Sequence, residues 1–349
     1  MSLHLARPAH TLIGNYASGM AAQFMGNQVE ALFGRLPVVL APMAGVTDAP
    51  FRAAVRQYGP ILVYSEMVAS AELLRDRRTA ALRLKADRSD GALAIQLAGR
   101  DPSSLAEAAR LAEAEGAALI DINMGCPAKK VVGGLCGSAL MREPELARAL
   151  VRAVVNAGST PVTVKMRLGW DDADRNAPAL ARELEGEGAQ AISVHGRTRA
   201  QFYEGRADWS FIGAVKGAVS IPVLANGDVR SLADAREILS ASGADGVMVG
   251  RGAFGRPWIV AQMQAAVRGE PIPADPSAKG RWRTALTQYR ASLSHYGNDL
   301  GRRVVRKHLG WYAENAGLER SVRDVLVRSE NPEPLLLQLA GMDAMAEAA

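Results

Sequence analysis

The stretch VLANGDVRSLADAREILSASGADGVMVGRG, residues 223–252, decides the fold class of this 349-residue chain. A short apolar run, Val223 to Ala225, precedes a helical pattern that Ser231 opens and Gly243 closes, and the next apolar run starts at Gly246. Runs that are apolar throughout, rather than alternating, are typical of parallel sheets covered on both faces. The stretch therefore predicts one strand–helix–strand unit of an α/β fold.

The same unit repeats over residues 38–249. Further apolar runs are Val38 to Ala41, Ile61 to Tyr64, Leu93 to Leu97, Leu119 to Ile122, Val162 to Met166 and Ala191 to Val194. The helices between them show ordinary start and stop signals, such as Asp101-Pro102 before one helix and Gly116 after it. Eight runs over roughly 220 residues predict a (β/α)8 TIM barrel. An open doubly wound sheet is the alternative, but no G-x-G-x-x-G follows the first run.

The carboxyl-terminal part of the chain has a different pattern. Residues 269–278 are rich in proline and small residues, which predicts a linker, and a second helix is expected after Gly301. Between them an apolar stripe at spacings of three and four indicates a packed helix, formed by Trp282, Leu286, Tyr289, Leu293 and Tyr296. We therefore predict an amino-terminal extension (1–36), a barrel (37–268) and a small all-α domain (279–340).

Positive charge is concentrated in that last segment. The chain has a formal net charge of +5. Between residues 279 and 308, however, eight lysines and arginines stand against one acidic residue, Asp299. On the second helix an arc of about 140° is occupied by Arg302, Arg303, Arg306 and Lys307. Such a face is typical of phosphate binding, although many charged helix faces are merely solvated.

Composition excludes several classes of protein. No run of about 18 uncharged apolar residues occurs in the sequence, so we expect no membrane span. The two cysteines, Cys126 and Cys136, make neither a disulfide framework nor a four-ligand zinc site. We therefore expect a cytoplasmic protein without a bound metal. Nothing in the sequence implies a protein partner.

Polar residues or glycines follow nearly every apolar run. Chemistry in a barrel gathers where the strands end, and these ends are Pro42-Met43-Ala44-Gly45, Ser65-Glu66, Gln96, Asn123 to Pro127, Lys165, His195, Asn226-Gly227-Asp228 and Gly250-Arg251-Gly252. So many polar ends predict one shared site. The last two turns follow strands seven and eight, where barrels often bind phosphate through backbone N–H groups. The alternative is a purely structural role, in which these glycines only make tight turns.

Cys126 is the most informative single residue. A free cysteine is usually a small buried hydrophobe, but Cys126 lies between Gly125 and Pro127 and opens a glycine-rich loop. Such a loop can move over a site. Cys136 has no comparable placement. Gln96 offers both a donor and an acceptor, which suits the edge of a ring such as flavin.

Six motifs together resemble the tRNA-dihydrouridine synthases, flavoenzymes that reduce a uridine in tRNA. They are APMAGVTD (41–48), NMGCP (123–127), VKMRLG (164–169), HGRTRAQFYEG (195–205), ANGD (225–228) and VGRG (249–252). RKHLGWY at 306–312 resembles the bacterial B-type branch of that family.

The resemblance implies a role for each matching position. Cys126 would donate a proton to the base. The flavin ring would be covered by Pro42, Met43 and Ala44, and its polar edge held by Gln96 and Lys165. His195 would lie near the ribityl chain or phosphate. The phosphate end of FMN would be bound by Asn226, Gly227, Asp228, Gly250 and Arg251. NADPH or NADH would reduce the flavin again.

The chemistry of uracil explains the need for a thiol. The double bond between carbons 5 and 6 is conjugated with a carbonyl, so a hydride can add at carbon 6 and the resulting enolate needs a proton at carbon 5. A thiol with the reference pKa of about 8.5 is mostly protonated at pH 7 and can serve as the acid. General-acid help is typically worth about 10²- to 10⁴-fold.

A tRNA substrate also requires an RNA-binding surface, because a uridine inside a folded RNA must be flipped outward to reach a barrel mouth. The expected RNA contacts are Lys129, Lys130, Arg302, Arg303, Arg306 and Lys307. Two alternatives stay open. A small-molecule pyrimidine oxidoreductase of the dihydroorotate dehydrogenase kind shares barrel and FMN but needs no basic helical domain. A non-catalytic RNA-binding protein on a relict barrel needs no Cys126.

Overall fold

Eight parallel strands close into a barrel in the computed structural model, which describes residues 29–75, 92–128, 131 and 136–342. The strands are β1 (Val38–Leu40), β2 (Val63–Tyr64), β4 (Leu93–Ala98), β5 (Leu119–Met124), β6 (Val162–Arg167), β7 (Ala191–His195), β8 (Val223–Asn226) and β9 (Gly246–Val249). A two-residue strand, β3 (Val68–Ala69), adds to one edge of β4. The first and last strands pair, with Val38 opposite Val247 and Leu40 opposite Val249, so the sheet closes. The predicted TIM barrel is confirmed.

Alternate residues of each strand face the two sides of the barrel wall. Val38, Leu40 and Val247 pack outward against the helices in the main core. Val39, Tyr64 and Met248 are buried with the inward-facing set. Residues 29–35, within the predicted extension, are helical, and their Val29 and Phe33 side chains are buried in that same inward-facing cluster.

The helices that surround the barrel begin and end where local signals place them. They are α1 (Ala49–Arg56), α2 (Ser70–Arg75), α3 (Pro102–Ala114), α4 (Pro144–Val155), α5 (Ala177–Gly186), α6 (Trp209–Lys216), α7 (Leu232–Ser242) and α8 (Ile259–Arg268). The Asp101 carboxylate caps α3 by accepting from Ser104 N at 2.7 Å. Ser231 and Asp234 form a capping box on α7, and Gly243 ends that helix at φ +63°. Both helix starts agree with the sequence expectation.

A second apolar cluster lies in four further helices, here called the helical unit: α9 (Ala278–Tyr296), α10 (Asn298–Asn315), α11 (Arg320–Arg328) and α12 (Glu333–Ala340). The predicted start of α10 after Gly301 is wrong, because the helix begins at Asn298 and contains Gly301. A β-carbon on Gly301 would lie 2.5 Å from the carbonyl oxygen of Ser292 in α9. Gly301 therefore allows two helices to approach closely rather than starting one. The boundaries of the three predicted segments stay predictions.

The helical unit packs beside the carboxyl ends of β1 and β9. Trp311 of α10 stacks on Phe254, just after β9, with ring centroids 3.9 Å apart. The hydroxyl of Tyr296 donates to Asp48, just after β1, at 3.2 Å. The unit therefore borders the end of the barrel at which we expect the site. No helix within the described residues is both long and apolar enough to cross a membrane.

Candidate active site

A cavity of about 410 Å³ opens at the carboxyl ends of the strands. Its walls include Cys126 and every residue for which the sequence predicts a cofactor contact: Pro42, Met43, Ala44, Gln96, Lys165, His195, Asn226, Gly227, Asp228, Gly250 and Arg251. Residues from seven of the eight barrel strands, or from the turns that follow them, therefore share one space, although they lie up to 209 positions apart in the sequence. The volume falls within the range of about 300–1,000 Å³ that is usual for small-molecule sites.

The backbone around Cys126 is held from three directions. The Cys126 N–H donates to Asn123 Oδ1 at 3.0 Å. Its carbonyl oxygen accepts from the Ser138 hydroxyl at 2.9 Å. The preceding carbonyl, of Gly125, accepts from Arg167 Nε at 2.7 Å. A backbone fixed in this way gives the half-buried thiol a defined place on the cavity wall.

Below Cys126, a chain of polar side chains leads into the barrel interior. Asn123 Nδ2 donates to Gln96 Oε1 at 2.8 Å. Gln96 Nε2 donates to Asp121 Oδ2 at 2.7 Å. The hydroxyl of Thr163 donates to Asp121 Oδ1 at 2.6 Å. All four side chains are buried, and burial raises the pKa of Asp121 to about 6.

The wall formed by the neighbouring strands β6 and β7 carries an excess of positive charge. Burial, followed by repulsion from Arg167, lowers the pKa of Lys165 to about 8, and its Nζ donates to Asn226 Oδ1 at 3.3 Å. Burial also lowers the pKa of His195 well below its ordinary value, with contributions from Lys165, Arg167, Arg197 and Arg251. His195 is therefore neutral at pH 7. Because arginine can only donate, the contact of Arg197 Nη1 with His195 Nε2 at 3.3 Å leaves the proton on Nδ1.

The turns after β8 and β9 form the end of the cavity nearest these cations. Gly227 has φ +120°, and a β-carbon there would lie 2.8 Å from the His195 ring. Asp228 Oδ2 accepts from Arg197 at 2.6 Å and from Ala207 N at 2.8 Å. Its Oδ2 is therefore committed to the loop after β7, whereas its buried Oδ1 has no hydrogen-bond partner in the described part of the chain. Arg251 lies 3.6 Å from Asp228 and is 47% exposed, which leaves it accessible from the cavity.

An aromatic pair forms part of the rim. Phe202 and Tyr203 line the cavity, yet they are 45% and 47% exposed. Phe202 adopts a left-handed conformation, φ +53°, and its carbonyl accepts from Arg167 at 2.8 Å. Tyr203 lies between the guanidinium groups of Arg167 and Arg251, at 5.5 and 5.2 Å. Arg167 thus connects the Cys126 backbone to this rim.

The basic residues of α10 differ from one another in their surroundings. Arg302 is engaged by Asp299 at 2.6 Å and by the carbonyl oxygens of Asn298 and Glu330. Arg303 is exposed. Arg306 is half-buried, and its Nε has no hydrogen-bond partner in the described part of the chain. Lys307 Nζ lies 3.4 Å from the position that a β-carbon on Gly45 would take, beside the cavity. Lys129 and Lys130 lie outside the described residues.

Sequence reasoning gave no role to three buried residues that organise this site. Asp121 lies inside β5 rather than at its end, so no strand-end rule selects it. Arg167 and Arg197 are each about 1% exposed, although arginine is usually a surface residue. A buried arginine must find acceptors, and these two lie in the motifs VKMRLG (164–169) and HGRTRAQFYEG (195–205). The sequence therefore contained a signal for both arginines, but their hydrogen-bond acceptors depend on contacts between residues far apart in the chain.

The donor set of the cavity fits a flavin mononucleotide. Lys165, Arg251 and the glycine turns supply cations and accessible backbone for a phosphate. Met43, Met248 and Ala41 supply apolar surface for a ring. Gln96 supplies an amide for the polar edge of that ring. Among the described residues, no cluster of three or more histidines, cysteines or carboxylates that could hold a metal ion occurs.

Solved structures that resemble the chain include a mandelate oxidase with bound (S)-2-phenylpropionate. It is 25% identical, with 67% of this chain and 69% of that chain covered and a TM-score of 0.44. At that TM-score the likeness supports no argument about function.

Similarity in sequence is much stronger. Residues 39–349 match the family model described as dihydrouridine synthase. A probable tRNA-dihydrouridine synthase of Rhodobacter capsulatus is 50% identical over 314 residues, which cover 90% of this chain and 96% of that protein. The tRNA-dihydrouridine synthase B of Pseudomonas aeruginosa is 47% identical over 277 residues, which cover 79% of this chain and 83% of that protein. This chain therefore belongs to the dihydrouridine synthase family.

Proposed function

We propose that this protein reduces the carbon 5–carbon 6 double bond of uridine in tRNA to dihydrouridine, with Cys126 as proton donor, FMN as resident cofactor and NADPH as reductant. The observation that carries the proposal is one cavity whose walls bring together Cys126, buried and half-buried cations and two glycine turns. Family membership supports the same reaction. The predicted cytoplasmic location stays a prediction.

Two different sets of residues would bind the phosphate end and the ring of the cofactor. Gly227, Gly250 and Arg251 would hold the phosphate of FMN, and the neutral His195 would lie near the ribityl chain or the phosphate. Lys165 and Gln96 would hold the polar edge of the flavin ring. The Asp228 carboxylate acts on the loop after β7 by fixing Arg197, so its part in binding the phosphate is indirect.

Reduced FMN, when bound, supplies the hydride that adds to carbon 6 of uracil. The thiol of Cys126 gives its proton to carbon 5 of the resulting enolate, and the cysteine is left as a thiolate that solvent reprotonates. Because Asn123, Ser138 and Arg167 fix the backbone on both sides of Cys126, the thiol is held in place before the substrate arrives. Phe202, Tyr203 and the apolar wall would cover the reacting base and limit its contact with water.

Cys126→Ala tests the proposal. We expect this variant to keep its yellow colour and its affinity for tRNA but to form no measurable dihydrouridine from unmodified tRNA. Cys136→Ala is the matched control, because this half-buried cysteine, whose pKa is raised by burial, is absent from the cavity wall. It should turn over within a few-fold of the wild-type rate. Near-normal product formation by Cys126→Ala would contradict the assignment.

Substrate comparison separates the alternatives. NADPH oxidation should be fast with unmodified tRNA and negligible with free uracil or orotate. Turnover of the free base at equal or greater efficiency would favour the small-molecule oxidoreductase. A colourless protein that binds tRNA, and that FMN does not reconstitute, would favour the non-catalytic alternative.

A further inference from the structure

The polar chain beneath Cys126 has a fixed direction. A backbone N–H, that of Cys126, can only donate, and it forces Asn123 to present its oxygen upward and its NH₂ group downward. At the other end an ionised carboxylate can only accept, so Asp121 forces Gln96 to present its NH₂ group downward and its oxygen upward. The two amides then meet oxygen to NH₂, at 2.8 Å. Turning either amide would place donor against donor or acceptor against acceptor.

This direction determines what the cavity offers to a ligand. Gln96 uses its oxygen on Asn123 and one hydrogen on Asp121, which leaves one N–H on the cavity wall. Gln96 is thereby a hydrogen-bond donor for a ligand, although a glutamine in isolation offers either polarity. The carboxylate that sets this polarity is fully buried and is absent from the residues that line the cavity.

We propose that Asp121 is a positioning residue, which acts through Gln96 to present an N–H donor to the cofactor and, through Gln96 and Asn123, to hold the Cys126 thiol in register with the base. This inference rests on the proposed function for its kinetic part. Its binding part concerns Gln96 and the flavin and does not depend on the RNA substrate.

Asp121→Leu removes the acceptor and keeps the number and branching of the side-chain heavy atoms. We expect apo-protein carrying this change to bind FMN several-fold more weakly in a fluorescence titration, because the Gln96 amide is then held only through its oxygen, by Asn123, and its NH₂ group loses the acceptor that positions it. In single-turnover reduction of tRNA we expect the maximal rate to fall about 10- to 100-fold, while the dissociation constant for tRNA is unchanged. Should Asp121→Leu fail to fold, Asp121→Ser is the second variant, since its short hydroxyl leaves room for water and does not reach Gln96. The same results are expected from it.

Asp121→Asn separates hydrogen-bond direction from charge. Its side-chain oxygen can accept from Gln96 and its NH₂ group can donate to the Thr163 hydroxyl, so the direction of the chain is kept while the charge is lost. We expect both FMN affinity and the single-turnover rate to return to within about two-fold of wild type. Thr163→Val is the matched control: it removes the other contact of Asp121 at the same depth and leaves Gln96 and Asn123 untouched, and it should keep both properties.

Two outcomes would overturn the proposal. One is wild-type FMN affinity and single-turnover rate in the folded Asp121→Leu or Asp121→Ser variant. The other is an Asp121→Asn variant as impaired as Asp121→Leu, which would assign the role to charge. If the wild-type protein itself reduced no uridine in tRNA, the proposed function would fail, whereas the FMN titration would still decide the role of Asp121 toward Gln96.

Discussion

At the scale of single residues, the candidate site depends on positions where one side chain is compatible with the geometry. Gly227 has φ +120°, a backbone region that is essentially restricted to glycine. A β-carbon there would lie 2.8 Å from both His195 Cδ2 and Ala207 Cβ. Both the backbone and the neighbouring ring would have to move, at the end of the cavity that we assign to the phosphate.

We therefore expect Gly227→Ala to weaken FMN binding by about 10-fold or more, which corresponds to about 1.4 kcal/mol. Gly205→Ala is the matched control. Gly205 also has positive φ, +64°, but a β-carbon there would meet no atom within 4 Å among the described residues. Gly205→Ala should lower the free energy of unfolding by about 1–2 kcal/mol and leave FMN affinity within a few-fold of wild type. Titration of the two apo-proteins with FMN measures both affinities. Equal losses of affinity in Gly227→Ala and Gly205→Ala would contradict the steric argument.

The residue scale also shows where sequence reasoning stops. Positions in the last half of a strand, or just after it, were sufficient to select Cys126, Lys165 and His195, because parallel strands bring their carboxyl ends together whatever the loops do. The partner of Asp228 was not predictable, since Arg197 lies 31 residues away and either of them might have faced solvent. Likewise Arg302 shares an arc with Arg303 and Arg306, but its guanidinium pairs with Asp299 and donates to the carbonyl oxygen of Glu330.

At the scale of elements, helix caps could be predicted because they depend on residues three positions apart. Asp101 on α3 and Asp48 on α1 cap in the same way, each accepting from the backbone N–H three residues later. Their surroundings differ, and the sequence does not show this. Asp101 is exposed, whereas Asp48 is buried between the barrel and Tyr296 of α9.

This difference predicts opposite effects of pH on stability. Burial raises the pKa of Asp48 from 3.8 to about 6, and Glu66 adds to the rise, while the Phe51 N–H, Tyr296 and Arg52 oppose it. The folded protein therefore binds the proton of Asp48 more tightly than the unfolded chain does. As pH rises from about 4 to about 6 this group lowers the free energy of unfolding, by about 3 kcal/mol in total.

Asp48→Asn keeps a good N-cap but cannot titrate. Relative to wild type, its free energy of unfolding should rise by about 3 kcal/mol between pH 4 and pH 7, measured by urea denaturation at each pH. Asp101→Asn is the control with the opposite sign. Hydrogen bonds from Ser104 lower the pKa of Asp101, so this variant should lose stability relative to wild type as the pH rises toward neutrality. A difference for Asp48→Asn that does not vary with pH would contradict the raised pKa.

At the scale of the whole molecule, the position of the helical unit is what relates the barrel to an RNA. The sequence predicted both parts and the basic face of α10, but not their relative placement, which depends on contacts such as Trp311 with Phe254. Through these contacts Lys307 reaches Gly45 beside the cavity, while Arg303 is exposed on the same helix. A tRNA with its uridine in the cavity would have its backbone close to α10.

The salt dependence of tRNA binding tests this placement. Each phosphate contact that is lost makes the plot of log affinity against log salt less steep by about 0.7 to 0.9, because fewer counterions are released on binding. We expect Arg303→Gln and Arg306→Gln each to weaken tRNA binding and to lower the slope by about this amount. Arg302→Gln makes the same change of charge on the same helix, but its guanidinium is already held by Asp299 and two carbonyl oxygens, so the slope should stay near the wild-type value. Equal slopes for the wild type and the first two variants, in titrations from low to moderate salt, would show that this face of α10 is only solvated.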